Sequence, residues 1–180
     1  MDSTDEMSKK RKIIYVLVTA FLIALVMRVF VVEGFIVSGD SMSPAINSGD
    51  YVFVNKLAYW HSEPKRGEVV VALPRDYPRK ILKRIIGLPG ERFEIANGGI
   101  IIRDDRDDPG KLLKETYLEK SDVTTIGETL TQLDPEEYFA LGDNREVSID
   151  SRELGLIDKW DIKGKVFGVI NFRTLKYKGF

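Results

Sequence analysis

Hydrophobic positions along the chain form one long run near the N-terminus and a series of short runs after it. The long run, residues 13–32, would be about 30 Å long as an α-helix, which is enough to cross the hydrocarbon core of a bilayer. Four consecutive basic residues, Lys9 to Lys12, precede the run, and basic residues favour the cytoplasmic side of a membrane. The pattern therefore predicts a cytoplasmic N-terminus at residues 1–12, a transmembrane anchor at 13–32 and an extracytoplasmic domain at 33–180.

Two other interpretations of the apolar run are a cleaved secretory signal and a buried helix of a soluble domain. A secretory signal has the same basic and apolar regions, but it ends in an Ala-x-Ala-like cleavage site. The nearest candidate here is Val32-Glu33-Gly34, which matches poorly. The sequence therefore favours an uncleaved anchor over both alternatives.

After residue 33 the hydrophobic pattern changes to short β-branched and aromatic runs bounded by glycine and proline, which is typical of β-strands. Asn97-Gly98-Gly99 predicts a tight hairpin turn, because Asn-Gly pairs adopt positive φ angles readily. A charged loop is predicted at 104–110, and no long helical period follows the anchor. The predicted strands are 51–54, 68–73, 80–86, 92–96, 100–103, 138–141 and 165–172. The predicted fold is mostly β, an antiparallel barrel-like domain after one N-terminal transmembrane helix.

Composition narrows the chemistry that this chain can perform. Its 180 residues carry a net charge of −1, and the residues after the apolar run are slightly acidic, which argues against a nucleic-acid partner. There is no cysteine, so disulfides, thiolate catalysis and cysteine-based zinc sites are excluded. His61 is the single histidine, so a Ser-His-Asp triad would have to use it and a His-rich metal site is excluded.

The first candidate for chemistry is the run Gly39-Asp40-Ser41-Met42-Ser43-Pro44, whose small residues and proline would hold Ser41 in an exposed bend. A serine hydroxyl is a weak nucleophile at neutral pH and needs an adjacent base. The same residue types also form ordinary surface turns, so this run alone leaves both interpretations open.

The second candidate is Lys83 in the predicted strand 80–86. Side chains alternate along a strand, so Lys83 would share a face with Ile81 and Ile85, and desolvation there would lower its pKa. Arg84 would face the other side and does not lose its proton in proteins. The alternative interpretation is an edge strand with a solvated lysine.

The third candidate is the segment 142–155, in which carboxylates, arginines and hydroxyls alternate after a predicted strand. Such side chains can bond to one another and to the backbone. We favour a supporting hydrogen-bond network over a simple solvated loop.

Taken in order, these three segments resemble the type I signal peptidases, membrane serine proteases that remove signal peptides from exported proteins. The resemblance covers most of the chain, and the short length with a single anchor is similar to the Gram-positive form. It implies a largely antiparallel β fold and a Ser–Lys mechanism without a metal or organic cofactor. It also implies a single-pass protein of the plasma membrane with its catalytic domain on the extracytoplasmic side.

The resemblance also implies roles for individual residues. Ser41 matches the nucleophile, Lys83 the general base, and Ser148 a hydroxyl that helps to orient the lysine. Four further residues match supporting positions: Asp150, Arg152, Arg84 and Asp143. The residues that we expect to bind substrate are Val37, Gly39, Asp40, Ile81 and Leu82, with Val52 as a further candidate for lining a pocket.

The chain departs from the family pattern at two positions. Some members have a serine that helps to bind the oxyanion where this chain has Gly39, so here the backbone N–H of Ser41 and one further donor would take that role. Many members have aspartate where this chain has Glu91, which keeps the charge. Eukaryotic members carry histidine in place of the lysine, but His61 lies outside the matching segment and is interpreted as incidental.

The expected substrate is an extended segment of an exported preprotein, with small residues one and three positions before the cleaved bond. It would bind as an added strand beside residues 35–39 or beside the strand that carries Lys83. The expected partners are signal-peptide-bearing preproteins, the lipid bilayer and the secretion machinery, without nucleic acid.

Two alternative functions remain at this point. One is a self-cleaving regulator of a related Ser–Lys fold, which the apolar run and the lack of a basic helix-turn-helix disfavour. The other is an inactive membrane-anchored β module that binds exported proteins, which the presence of both Ser41 and Lys83 disfavours.

Overall fold

The computed structural model describes residues 3–96, 98–103, 108–118 and 129–180. The N-terminal helix α1 (Ser3–Val26) continues as a π-helical turn (Met27–Val31). Within the described ranges, one helix is long and apolar enough to cross a membrane, over Lys9–Val31, and none of it is buried against the rest of the protein. The apolar run is therefore not the core helix of a soluble domain. The helix begins well before residue 13, where the predicted anchor starts.

The rest of the described chain forms two antiparallel sheets. In chain order, the strands are β1 (Val32–Ile36), β2 (Tyr51–Asn55), β3 (Val69–Ala72), β4 (Ile81–Gly87), β5 (Arg92–Ala96), β6 (Gly99–Arg103), β7 (Lys111–Leu112), β8 (Thr129–Gln132), β9 (Glu137–Leu141), β10 (Ile157–Asp158), β11 (Ile162–Asn171) and β12 (Lys176–Gly179). The larger sheet has the order β1-β2-β11-β3-β4-β9-β10, with β12 paired to β11, and the smaller sheet has the order β7-β6-β5-β8. A short helix, α2 (Ser151–Leu154), follows β9.

The centre of the larger sheet is buried on both faces. In β3, Val69 and Val71 enter one hydrophobic cluster, whereas Val70 and Ala72 enter another. The neighbouring strand β4 is buried along nearly its whole length. A side chain on β4 is therefore removed from water on whichever face it lies.

The two sheets are joined by a third cluster, in which the rings of Phe93 on β5 and Phe139 on β9 have centroids 4.2 Å apart. The turn after β1 is fixed separately, because Met42 and Ile46 are buried in the cluster beneath β2 and β11. The turn that contains Ser41 is therefore held in place by two buried apolar side chains on its C-terminal side.

The predicted fold class is confirmed, and each of the predicted strands is present with bounds shifted by at most three residues. The hairpin of β5 and β6 is confirmed by its pairing, although its turn residue Asn97 lies outside the described residues, as do positions 104–107 of the predicted charged loop. The barrel is not closed, because β1 and β10 are the end strands of the larger sheet.

Gly164 provides a test of how β2 and β11 pack. It has a φ of +158°, and a β-carbon there would lie 2.6 Å from the carbonyl oxygen of Asn55 and 2.8 Å from the Val54 side chain. We expect Gly164→Ala to lower the free energy of unfolding by about 1–3 kcal/mol, because the obstacle is backbone that cannot move aside. Gly179→Ala, where nothing lies closer than 3.9 Å, should change it by less than about 0.5 kcal/mol in the same urea titration. Equal stabilities of the two variants would contradict this packing.

Candidate active site

The structure brings Ser41 and Lys83 together, although they are 42 positions apart in the sequence. Ser41 lies in the turn that follows β1, and Lys83 lies in β4. The Lys83 Nζ is 2.9 Å from the Ser41 Oγ, to which it donates a hydrogen bond, and it also donates to the carbonyl of Leu82 at 2.9 Å. A neutral amine at this distance could accept the serine proton instead.

The environment of Lys83 favours the neutral amine. The residue is only 3% exposed, and this burial lowers its pKa from 10.5 to about 8. The negative charges of Asp150 and Asp143 raise the pKa of Lys83, and the positive charge of Arg152 lowers it. Burial is the largest effect and therefore decides the direction of the shift. At pH 7 about one molecule in ten would carry the neutral amine, compared with fewer than about one in a thousand for an ordinary lysine.

Arg84, the neighbour of Lys83, is buried and forms a two-pronged ion pair with Asp143. Its Nε and Nη2 donate to the two carboxylate oxygens at 2.8 and 2.6 Å, and its Nη1 donates to the carbonyl of Gly67 at 2.7 Å. Two parallel bonds fix orientation as well as distance. The pair therefore ties the start of segment 142–155 to β4.

Asp150 holds the other end of that segment. Its carboxylate accepts from the Nε and Nη2 of Arg152 at 2.8 and 3.0 Å, from the N–H of Gly142 at 3.0 Å, and from the backbone N–H of Arg152 in α2 at 3.2 Å. Burial would raise the pKa of Asp150, but the hydrogen bonds from Arg152 and Gly142 outweigh it and lower that pKa. Asp150 is therefore ionised, and its carboxylate connects Gly142 at the start of the segment to Arg152 near its end.

Ser148 lies beside the turn that contains Ser41 but does not bond to Lys83. Its buried hydroxyl has no hydrogen-bond partner of normal geometry within the described ranges, and its proximity to the Asp150 carboxylate favours ionisation of that group. A β-carbon at Gly142 would collide with both the Ser148 hydroxyl and the Ser41 carbonyl oxygen. The N–H of Asn144 donates to the same carbonyl at 3.0 Å, which links the two loops directly.

Two residues that the sequence did not single out, Glu115 and Tyr117, also support this segment. Glu115 accepts from Nη1 and Nη2 of Arg145 at 3.1 and 2.5 Å, and from the hydroxyl of Tyr117 at 2.6 Å. The Arg84 guanidinium lies 4.1 Å from the centre of the Tyr117 ring. Burial raises the pKa of Tyr117, and the Glu115 carboxylate raises it further. Glu115 therefore holds Arg145 in place, and Tyr117 packs against Arg84.

A groove of about 550 Å³ opens beside Ser41 and Lys83. Both β1 and the first half of β4 contribute to its lining, and the ion pair between Lys80 and Glu33 crosses from one to the other at 2.5 Å. Each of the residues predicted to bind substrate lines this groove: Val37, Gly39, Asp40, Ile81 and Leu82. The suggestion of Val52 was wrong, because that side chain is fully buried in the cluster beneath β2.

One side of β4 is open along this groove. The strand pairs with β3 from Ile81 to Arg84, but its pairing with β9 begins only at Arg84. Within the described chain, the first residues of β4 therefore lack a strand partner on the side of β9.

His61 lies in a different groove, where its ring stacks on Trp60 with centroids 5.8 Å apart. It does not line the groove that contains Ser41. Over the ranges that the structure describes, no group of three or more His, Cys, Asp or Glu side chains is arranged to hold a metal ion.

A serine hydroxyl beside a buried amine of lowered pKa is the arrangement of a serine hydrolase that uses lysine as its base. The sequence profile of the family described as "Signal peptidase, peptidase S26" matches residues 10–171. The chain belongs to this family.

Individual relatives agree with the family match. The chain is 35% identical over 173 residues to signal peptidase I P of Bacillus subtilis subsp. natto, covering 89% of this chain and 90% of that protein. It is 34% identical over 176 residues to signal peptidase I T of Bacillus subtilis strain 168, covering 90% and 88% of the two chains. A crystal structure of a signal peptidase I from Enterococcus faecalis V583 is 26% identical, with a TM-score of 0.48, and the match covers 58% of this chain and 97% of that one. The resemblance inferred from the sequence is confirmed by the family match and by the two Bacillus subtilis relatives.

The Glu115–Arg145 ion pair gives a stability test, because the two side chains are only 10% and 1% exposed. Removing one partner of a buried pair typically costs about 3–5 kcal/mol. We expect Glu115→Ala to lower the free energy of unfolding by about 3 kcal/mol, and Glu115→Gln by less, because glutamine retains one acceptor oxygen. Both are measured by urea denaturation.

Glu63→Ala is the matched control, since Glu63 pairs with Lys159 at an exposed site. Its effect should stay below about 1 kcal/mol. If Glu115→Ala were no more destabilising than Glu63→Ala, the pair would not be holding segment 142–155.

Proposed function

We propose that this protein cleaves signal peptides from exported preproteins, with Ser41 as the nucleophile and Lys83 as the general base. The observation that carries the proposal is the 2.9 Å contact between the Ser41 hydroxyl and the Lys83 amine, whose burial lowers its pKa to about 8. Family membership supports a serine endopeptidase of the signal peptidase type.

In the acylation step, neutral Lys83 accepts the proton of Ser41 while the serine oxygen attacks the carbonyl carbon of the scissile peptide bond. The carbonyl oxygen becomes an oxyanion, for which the backbone N–H of Ser41 is the proposed donor. This N–H makes no hydrogen bond to any of the described residues, and Gly39 leaves space where some relatives have a serine side chain.

The remaining steps return both groups to their starting states. The protonated Lys83 gives its proton to the leaving amine, so that the peptide bond breaks and an acyl–serine ester remains. Lys83 then accepts a proton from water, which attacks the ester, and finally returns this proton to the Ser41 oxygen. No step requires a metal or an organic cofactor.

The supporting residues act through position. We assign the Arg84–Asp143 and Asp150–Arg152 pairs the role of holding segment 142–155 against the catalytic turn, where Asn144 bonds to the Ser41 carbonyl. Ser148, whose buried hydroxyl has no hydrogen-bond partner among the described residues, is proposed to orient Lys83.

The substrate is proposed to bind as a strand between β1 and the open side of β4. Backbone hydrogen bonds would place the scissile carbonyl near Ser41. The apolar side chains of Val37, Ile81 and Leu82 line the groove at this point and would leave room only for small substrate residues.

The helical segment Lys9–Val31 is proposed as the membrane anchor, with the basic cluster Lys9 to Lys12 on the cytoplasmic side and residues 33–180 outside. This arrangement would deliver the catalytic domain to the side on which exported preproteins emerge. The secretion machinery is then a natural neighbour, and the plasma membrane is the proposed location.

Cleavage of a purified preprotein with an Ala-x-Ala site tests the catalytic pair. Ser41→Ala and Lys83→Ala should each abolish cleavage, whereas the controls Ser43→Ala and Lys176→Met should retain it, because both control residues lie outside the groove. The kcat/KM of the unaltered enzyme should rise with pH to a plateau, with an apparent pKa of about 8, since only neutral Lys83 can accept a proton.

Full activity of Lys83→Ala would remove Lys83 as the base. Cleavage within the enzyme's own chain, in place of the preprotein, would favour a self-cleaving regulator. Binding of preproteins without any cleavage would favour the inactive β module.

Burial of Lys83 also predicts a pH-dependent stability. The folded pKa is about 8 and the ordinary value is 10.5, so below pH 8 the folded protein bears the full cost of a buried ammonium, about 3 kcal/mol. This cost disappears as the pH rises from 8 to 10.5. We expect Lys83→Met to be inactive but more stable than the unaltered protein at pH 7, with a difference that shrinks towards pH 10.5 in denaturant titrations. A difference that does not vary with pH would contradict the lowered pKa.

A further inference from the structure

An ion pair spans the substrate groove at the end away from Ser41. The Nζ of Lys80, the residue just before β4, lies 2.5 Å from the Oε1 of Glu33 on β1. Both residues line the groove, and their side chains are 42% and 25% exposed. The proposed chemistry at Ser41 and Lys83 uses neither of them.

The floor of the groove changes from apolar to charged along β1. Side chains on one face of an extended chain recur at every second residue, so Glu33 shares a face with Phe35 and Val37. Val37 is buried in the cluster beneath β2 and β11, Phe35 packs against that cluster, and Leu82 belongs to it from the side of β4. The floor therefore has an apolar row at Val37 and Leu82, a second apolar row at Phe35, and a charged row at Glu33 and Lys80.

The membrane anchor gives the direction in which a substrate would lie. The strand β1 starts where the helical segment ends, at Val31, so the Glu33 end of the groove is the end nearer the proposed anchor. In a secretory signal, the apolar region precedes the cleavage site. A signal peptide leaving the bilayer would therefore enter at the Glu33 end and run in the same direction as β1 towards Ser41.

The rows of the floor then correspond to alternate residues of the substrate. We number substrate residues backwards from the cleaved bond, so that −1 is the residue whose carbonyl Ser41 attacks. A bound strand directs every second side chain to the floor, and such side chains recur about every 7 Å in both chains. With −1 at the row of Val37 and Leu82, residue −3 lies over Phe35 and residue −5 lies over the pair of Glu33 and Lys80.

We propose that Glu33 and Lys80 form a subsite that selects an uncharged polar side chain at substrate position −5. This inference rests on the cleavage function and the strand-like substrate proposed above. An amide at −5 can accept a hydrogen bond from the ammonium of Lys80 and donate one to the carboxylate of Glu33 while the ion pair stays intact. A charged side chain would attract one partner and repel the other, and a large apolar one would desolvate the pair without replacing its hydrogen bonds.

Peptide binding to the full-length Ser41→Ala protein in detergent tests the subsite without cleavage. Fluorescein-labelled peptides that span the cleavage site carry alanine at −1 and −3 and differ only at −5, where they have glutamine, leucine, aspartate or lysine. We expect the glutamine peptide to have the lowest Kd, by about three-fold. The same four residues at −4, whose side chain points away from the floor, should change the Kd by less than about two-fold.

Charge-changing variants in the same Ser41→Ala background give the sharper measurement. Lys80→Gln removes the positive charge beside Glu33 and should favour lysine over aspartate at −5, whereas Glu33→Gln should favour aspartate. We expect the ratio of these two Kd values to differ by about five-fold or more between the two variants. Lys159→Gln breaks the exposed pair of Lys159 and Glu63 outside this groove, so this matched control should keep the preferences of its parent.

Three results would overturn the inference. They are a Kd that does not depend on the residue at −5, a failure of any peptide to bind, and an equal gain in affinity for all peptides in Lys80→Gln, which would make the pair a barrier across the groove. Cleavage of the Ala-x-Ala preprotein by the unaltered protein is measured separately. Cleavage without a preference at −5 would contradict only this inference, and a preference at −5 without cleavage would contradict only the proposed function.

Discussion

The desolvation of Lys83 is the constraint on which the rest of the structure depends. An ammonium ion in a buried site is unstable by about 3 kcal/mol at neutral pH for a shift of this size, and the fold must supply that free energy elsewhere. The lysine lies on β4, a strand that is buried along almost its whole length, and the packing of the two hydrophobic clusters around that strand offsets the cost. A lysine on β1 or β12, which are more exposed, would keep an ordinary pKa and could not act as a base at neutral pH.

The same constraint explains why the nearby carboxylates come with arginines. Asp150 and Asp143 each favour the protonated form of Lys83, and unpaired they would counteract the effect of burial. Arg152 and Arg84 are bound to them through paired hydrogen bonds, so each aspartate lies beside a compensating positive charge. The carboxylates can then organise segment 142–155 through the N–H of Gly142 and the cap of α2 without restoring the lysine's ordinary pKa. Of the two arginines, Arg152 also lowers the pKa of Lys83 directly.

Features that depend on neighbouring residues in the chain, such as strands and turns, can be predicted from the sequence. Features that depend on contacts between distant residues cannot. Ser41 lies in a run of turn-forming residues, and Lys83 lies between two isoleucines of a predicted strand. Short β-branched and aromatic runs predict the central strands. The first strand is concealed because Val32–Ile36 continues the apolar run of the helix. Glu115 and Tyr117 have no local signal, since their role comes from Arg145, thirty positions away, and from Arg84. The sequence also does not predict that the buried hydroxyl of Ser148 lacks a hydrogen bond to Lys83.

The barrel is open at β1, which is an end strand of the larger sheet. Exposed strand edges are normally protected, because they pair readily with other chains. In the part of the chain that the structure describes, the edges of β1 and of the first half of β4 are unpaired, and both line the groove that contains Ser41. A strand-forming substrate would therefore satisfy both edges at once. Since β1 also continues directly from the helical turn that ends at Val31, one short extended segment connects the apolar helix to the turn that contains Ser41. Any tilt of the domain on its helix would then move that turn as well.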